Sequence, residues 1–284
     1  MTFDYQEPSS VDAATGLLAE HGVDATVLAG GTAFALLYRN GLIRPGHVVG
    51  LRRCAELRGI RKEGDALWIG ALATHREVEL SATVRAHHPA IAETFGRIAT
   101  VRIRHQATVG GNLAHADPAQ DPPPTLIAFD AVVHVAGPMG ARREIPIADL
   151  FVDHYTTSLR PAEVVLGVRV PAVAADTRAT YLKFLPRSLD DYATVSVAAA
   201  LRLDPAGRVA SVRVALGAVG PIPVRAHAVE RALLGEVPTA ARLRDAADAV
   251  RSEIDPLDDA RGSAGYKREM AVVCTRRALA DVAA

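Results

Sequence analysis

Two glycine doublets, each close to a threonine, constrain this chain more than any other feature: Ala29-Gly30-Gly31-Thr32 and Thr108-Val109-Gly110-Gly111-Asn112. The first follows a strand-like run, Ala25-Thr26-Val27-Leu28-Ala29, and precedes a helix-like stretch from Thr32 to Asn40 with Gly41 as terminator. A strand, a turn and a helix in that order bring amide N–H groups and a positive dipole end to one place. Glycines without Cβ atoms let the backbone approach a diphosphate closely, and a threonine hydroxyl adds a donor at the same edge. Either doublet alone could be an ordinary turn. Both together point to a phosphate-bearing ligand. Neither GxGxxG nor GxxxxGK followed by Ser or Thr occurs, so a Rossmann fold is not the expected holder of a dinucleotide.

The 284 residues are enough for about two domains. Lys plus Arg equals Asp plus Glu at 32 each, which leaves no net positive field for a nucleic acid. The start, MTFDYQEPSS, has neither the basic head nor the apolar core of a secretory signal, and no apolar run reaches membrane-spanning length; a cytoplasmic protein without a membrane span is expected. Cys54 and Cys274 stand far apart and are expected to be structural thiols, too few for an iron–sulfur cluster. His115 and Asp117 do not amount to a metal site, and no metal is expected on this chain. Arg102, Arg104 and His105 read as a basic, solvated face that could assist a diphosphate.

Ser9 and Asp12 have capping-box spacing ahead of a short helix that stops at Gly22. A hairpin is expected across Glu63-Gly64-Asp65, helices over 74–98, and a long breaker-rich loop over 108–124. Strands follow at 131–136 and 164–170, with a short acidic helix near Asp149 between them. Apolar strand runs at 193–203 and 209–219 meet at Asp204-Pro205-Ala206-Gly207, and helices are expected at 225–234, 239–253 and 266–282. Pro171 to Thr177 has the composition of a linker. The division expected is 1–175, itself two α/β subdomains of about 1–52 and 53–175, followed by an α+β unit at 176–284.

Further motifs follow in fixed order: Ala116-Asp117-Pro118, Asp121-Pro122-Pro123, and Tyr181-Leu182-Lys183-Phe184 with Arg187, Asp191, Tyr192 and Ala193. Arg261 to Arg268 and Arg276-Arg277-Ala278 close the chain. With the glycine doublets, this series resembles the FAD-binding medium subunits of molybdenum hydroxylases, among them carbon monoxide dehydrogenases and the flavin domain of xanthine dehydrogenase. The resemblance implies an α+β fold, with an FAD-binding domain of the vanillyl-alcohol oxidase type followed by an antiparallel sheet with helices. It implies that Val27, Leu28, Ala29, Gly30, Gly31, Thr32, Ala33 and Phe34, with Thr108, Val109, Gly110, Gly111 and Asn112, wrap the FAD pyrophosphate. Asp121 would hydrogen-bond the cofactor, Lys183 would lie by the flavin ring, and Ile98 and Val165 would line the pocket. Relatives often carry His or Gln where Thr32 stands. No catalytic acid–base residue is implied, because substrate would be oxidised at a molybdenum cofactor on a large partner subunit and electrons would cross 2Fe–2S clusters on a small one. A dimer of such heterotrimers is the implied assembly.

Read without the resemblance, Asp121 before Pro122 is also a good helix N-cap, and Lys183 an ordinary strand lysine. A self-sufficient flavoenzyme of the same fold, of the UDP-N-acetylenolpyruvoylglucosamine reductase kind, remains the alternative. A branched side chain at Gly110 is expected to expel FAD while the fold survives.

Overall fold

The computed structural model describes residues 3–185, 188 and 190–284; Arg187, singled out above, lies outside them. The chain opens with β1 (Asp4–Gln6), α1 (Val11–His21), β2 (Ala25–Leu28), α2 (Thr32–Arg39) and β3 (His47–Gly50). These strands form a parallel sheet in the order β1-β3-β2. Ser10, not Ser9, caps α1, accepting a hydrogen bond from the amide of Ala13. The side-chain oxygen one position later is the one that reaches an open first-turn donor.

Next come β4 (Ile60–Glu63), β5 (Ala66–Gly70), α3 (His75–Leu80), α4 (Ala82–His87), α5 (Pro89–Gly96), α6 (Val101–Gln106), α7 (Val109–His115) and α8 (Pro122–Ala128). Thr74 and Glu77 form a capping box at the head of α3. The breaker-rich stretch expected to be one long loop instead holds α7 and the start of α8. Thr108 caps α7, and the glycines follow in its first turn, where the loss of Cβ costs least order; the prolines of α8 occupy first-turn positions whose amides have no helical partner anyway.

Strands β6 (Val132–Ala136), β7 (Arg142–Pro146), β8 (Phe151–Asp153), β9 (Thr156–Thr157) and β10 (Val164–Val170) follow. A five-stranded antiparallel sheet results, ordered β4-β5-β10-β6-β7. The acidic stretch near Asp149 is a single 3-10 turn, Ile147–Asp149. After residues 171–177, which lie outside helices and strands, β11 (Arg178–Phe184), β12 (Val195–Leu203), β13 (Val209–Gly217) and β14 (Val224–Arg225) make an antiparallel sheet, and α9 (His227–Leu233), α10 (Ala240–Asp248) and α11 (Ala264–Ala283) complete the chain.

Strand β12 explains how the parts meet. Val195, Val197, Ala199 and Leu201 pack into the core under α9, α10 and α11, while Ala198 and Ala200 pack into the core that holds the five-stranded sheet and α8. Alternation puts the two sets on opposite faces, and burial of both faces accounts for the nearly continuous apolar run. The four-stranded sheet is therefore shared between two cores, and its neighbour β11 runs along the seam.

Candidate functional site: two glycine turns and a buried ion pair

The first glycine doublet makes a tight turn between β2 and α2. Gly31 has φ +76°, in the left-handed region, and heads α2 without a side-chain cap. The first-turn amides of Thr32, Ala33 and Phe34 thus have no capping acceptor, which is the arrangement that accepts an anion. Gly30 faces inward: a Cβ there would overlap the carbonyl oxygen of Gln106 and lie 3.1 Å from Cα of Ala107. The turn is clasped, backbone on backbone, against the junction of α6 and α7.

The second doublet behaves differently. The Thr108 hydroxyl accepts from the Gly111 amide at 3.2 Å, the Val109 amide donates to Ala73 O at 3.0 Å, and the Gly110 amide donates to Ala71 O at 2.8 Å. These three donors are already engaged, so they do not form the free amide row expected from the sequence. Gly110 is glycine because Ala71 leaves no space: a Cβ would fall 2.6 Å from the Ala71 Cβ. The expectation that a branched residue at Gly110 would spare the fold is corrected accordingly. Gly111 does face the first doublet, a Cβ there lying 3.6 Å from the Ala29 Cβ. Beside it, Asn112 Oδ1 is buried without a hydrogen-bond partner among the described residues. Such an atom is costly unless a ligand or water satisfies it.

A second locus forms around Asp121. This residue occupies the N-cap position of α8 but makes no capping bond. Its carboxylate, 4% exposed, turns toward β11, where the Tyr181 hydroxyl donates to Oδ1 at 2.5 Å and Lys183 Nζ donates to Oδ2 at 2.9 Å. Lys183 also donates to the carbonyl oxygen of Arg97 at 3.1 Å. The capping and ordinary-strand readings are thereby set aside. Tyr181 and Lys183 are two apart on one strand and so share a face. Burial pushes the Asp121 carboxyl up, opposed by the Lys183 charge and the Tyr181 hydrogen bond, and burial likewise raises the Tyr181 phenol well above its usual range. Two charges this deep need each other, since either alone would be strongly destabilising.

Ile98 is buried directly after Arg97, and Val165 is buried on β10 beside the bulge at Val165/Gly167. Neighbouring Leu166 accepts from the amide of Ala71, the residue that braces Gly110, which ties Val165 to the second doublet through the backbone. Gln120 Oε1, next to Asp121, is a further buried atom without a partner among the described residues. The structure thus pairs Ala29 with Gly111 and Asp121 with Lys183. Sequence reasoning did not assign Tyr181, Arg97 or Gln106 to the site. The two-residue spacing of Tyr181 and Lys183 was a usable signal for the first; carbonyl oxygens give none.

Asp117 serves its own loop, accepting from the Ala119 amide at 2.9 Å and from the Tyr155 hydroxyl at 3.1 Å. Among the described residues no group of three or more His, Cys, Asp or Glu could hold a metal ion. Arg104 is not a solvated residue: it pairs with Glu79 at 2.9 Å and donates to the carbonyls of Ile98 and Ala99, bracing the turn before α6. Arg102 and His105 are exposed. Arg261 lies over the Tyr192 ring, 5.3 Å from its centroid, and pairs with Asp191, which fastens that stretch to the head of α11.

A family profile described as the FAD binding domain in molybdopterin dehydrogenase matches residues 1–173, and one described as the CO dehydrogenase flavoprotein C-terminal domain matches 180–282. The chain belongs to the FAD-binding medium subunits of the molybdenum hydroxylases. It is 37% identical to the carbon monoxide dehydrogenase medium chain of Hydrogenophaga pseudoflava, over 98% of this chain and 96% of that one. It is 28% identical to the xanthine dehydrogenase FAD-binding subunit of Escherichia coli O157:H7, over 99% and 96%. In a solved structure of carbon monoxide dehydrogenase from Hydrogenophaga pseudoflava, a chain superposes with a TM-score of 0.96 at 39% identity, covering 99% of this chain and 97% of that one. This medium subunit is therefore an FAD-binding oxidoreductase subunit of α+β fold, and membership decides against the self-sufficient reductase. Its uncapped α2 and its meeting glycine turns fit a diphosphate, while the Asn112 and Gln120 oxygens, unpartnered among the described residues, can accept only from hydroxyl or N–H donors elsewhere on such a cofactor.

Proposed function

We propose that this medium subunit holds one FAD noncovalently, between a 1–175 domain (subdomains 1–52 and 53–175) and a 176–284 domain, and relays electrons through it. The observation that carries this reading is the buried Asp121–Lys183 pair, which joins α8 to β11 beside the shared sheet. On this reading the Val27–Phe34 turn, with its uncapped amides, takes the pyrophosphate, and Asn112 supplies the amide of the second segment. Asp121 hydrogen-bonds the cofactor, Lys183 stands by the ring, and Ile98 and Val165 form apolar walls. Bound FAD accepts electrons and passes them on; the protein orients it and places a cation where reduction builds negative charge.

The electrons come from 2Fe–2S clusters on a small partner, fed by a molybdenum cofactor on a large partner, and leave to an external acceptor. A dimer of heterotrimers in the cytoplasm is the proposed assembly; among the described residues no helix is long and apolar enough to cross a membrane. Substrate choice belongs to the large partner. Relatives at 28–37% identity carry names as different as carbon monoxide, glyceraldehyde, caffeine and xanthine dehydrogenase, which supports a flavin chain indifferent to substrate.

The test is expression of this chain alone and with its neighbouring genes. Acid should release intact FAD, identified by chromatography, and substrate should bleach the flavin anaerobically only in the molybdenum-containing assembly. Release of FMN, or rapid bleaching of the isolated chain by an organic substrate, would overturn the reading.

A further inference from the structure

Tyr181 is the residue of the seam cluster that the flavin reading leaves without a task. Its ring is 1% exposed, and its hydroxyl donates to Asp121 Oδ1. Asp121 Oδ2 is taken by Lys183, whose ammonium is also held by the Arg97 carbonyl. The carboxylate is therefore gripped at both oxygens from one strand face. A tyrosine in this place is not needed for packing alone, since phenylalanine would fill the same volume; the hydroxyl donates to the carboxylate, with the Ser196 hydroxyl also acting on it.

We propose that Tyr181 is a positioning residue of the flavin site: its hydroxyl fixes the Asp121 carboxylate in the orientation that balances and aims Lys183. This rests on the flavin reading above. An ionised Asp121 offsets the Lys183 charge, so the flavin beside them meets a dipole, not a bare cation. Without the Tyr181 donor the carboxylate loses a hydrogen bond that favours its charged form and takes up a proton more readily. Lys183 is then uncompensated, and a bare cation favours the reduced, more negative flavin. The groups that act on Asp121 are Lys183 and Tyr181 on β11 and Arg97 at the end of α5, and Asp121 in turn acts on Tyr192.

The experiment is spectroelectrochemical titration of the flavin in the assembled holoenzyme, as a function of pH. The wild type and Tyr181→Phe should coincide at alkaline pH, with Tyr181→Phe bending to higher midpoint potential as pH falls, at a pH above any such bend in the wild type. Asp121→Asn should sit higher than the wild type throughout, and adding Tyr181→Phe to Asp121→Asn should change nothing further. Superimposed wild-type and Tyr181→Phe curves, or a Tyr181→Phe shift that persists in the Asp121→Asn background, would overturn the proposal while leaving the flavin reading intact. Absence of FAD from the wild type would instead sink that reading. Should Tyr181→Phe fail to accumulate, 3-fluorotyrosine at position 181 keeps the ring and strengthens the donor. The bend then moves to lower pH if the proposal holds, and an unmoved bend would end it.

Discussion

Gly30 and Gln106, separated by most of the N-terminal region in sequence, meet backbone to backbone, and no side chain of any size fits between them. The first glycine turn is thus located by its contact with the junction of α6 and α7 and not by its own sequence alone. Gly30→Ala must push the two segments apart. The expected outcome is a destabilisation of about 1–3 kcal/mol, of the size seen for overpacking, together with a fall in the flavin-to-protein ratio. Thr32→Ala removes a side chain that makes no cap, and should leave the urea midpoint within about 0.5 kcal/mol of the wild type. Urea titration with absorbance at the flavin band reads both.

Gly110 and Asn112, two positions apart, should respond in opposite ways. Gly110→Val drives side-chain atoms into Ala71 and is expected to lower stability and yield along with FAD content. Asn112→Ala removes a polar atom that has no partner among the described residues. It should leave the apo chain as stable as the wild type, or slightly more so, and weaken FAD binding, measured by flavin fluorescence on dilution. Equal loss of stability in both variants would refute the distinction.

Lys183→Met leaves the Asp121 carboxylate buried with its cation gone. Breaking a buried pair at one end costs about 3–5 kcal/mol, whereas replacing both ends is far milder. Lys183→Met should therefore be much less stable than Lys183→Met combined with Asp121→Asn. A double-mutant cycle in urea gives the coupling directly, and simple additivity would show that the pair is not coupled.

His75 and His88 are both buried, and burial pushes each down to about 4, with the Arg104 charge acting in the same direction on His75 and the neighbouring His87 on His88. The folded pKa lies below the unfolded value of 6.5, so between 6.5 and about 4 the unfolded chain binds protons that the folded chain refuses. Stability must fall as pH drops through that window, by no more than about 1.4 kcal/mol per pH unit for each histidine, and the contribution levels off below it. Thermal unfolding of the apo chain from pH 7 to pH 4 should show the slope, and His75→Leu should flatten it. An unchanged slope in His75→Leu would remove this residue from the acid response.

Local pattern made much of this fold legible. The strand, glycine turn and helix around Gly30, the β12–β13 hairpin around Asp204 to Gly207, and the strand at 164–170 are read from neighbours within a few residues. The helix α7 was not legible, because Gly110 and Gly111 argue for a loop until Ala71 and Ala73 are seen to accept from the amides of Gly110 and Val109, and the Thr108 hydroxyl from that of Gly111. The helix α6 was missed for a similar reason, its alternating Arg and apolar residues having no buried stripe to declare a helix. In the site, Asp121 and Lys183 were chosen through resemblance. Nothing local distinguishes that lysine until Asp121 and the Arg97 carbonyl surround it.

The cluster at the seam draws Arg97 and Asp121 from the portion before residues 171–177 and Tyr181 and Lys183 from the portion after them. A hybrid gene that spliced the front of this chain to the back of a distant relative would carry a lone buried acid unless the incoming strand offered both a phenol and an amine at the matching register. Recombination within 171–177, although it cuts a segment outside the sheets, is therefore filtered by one charge as well as by the shared core, and the two halves are expected to be inherited as a set.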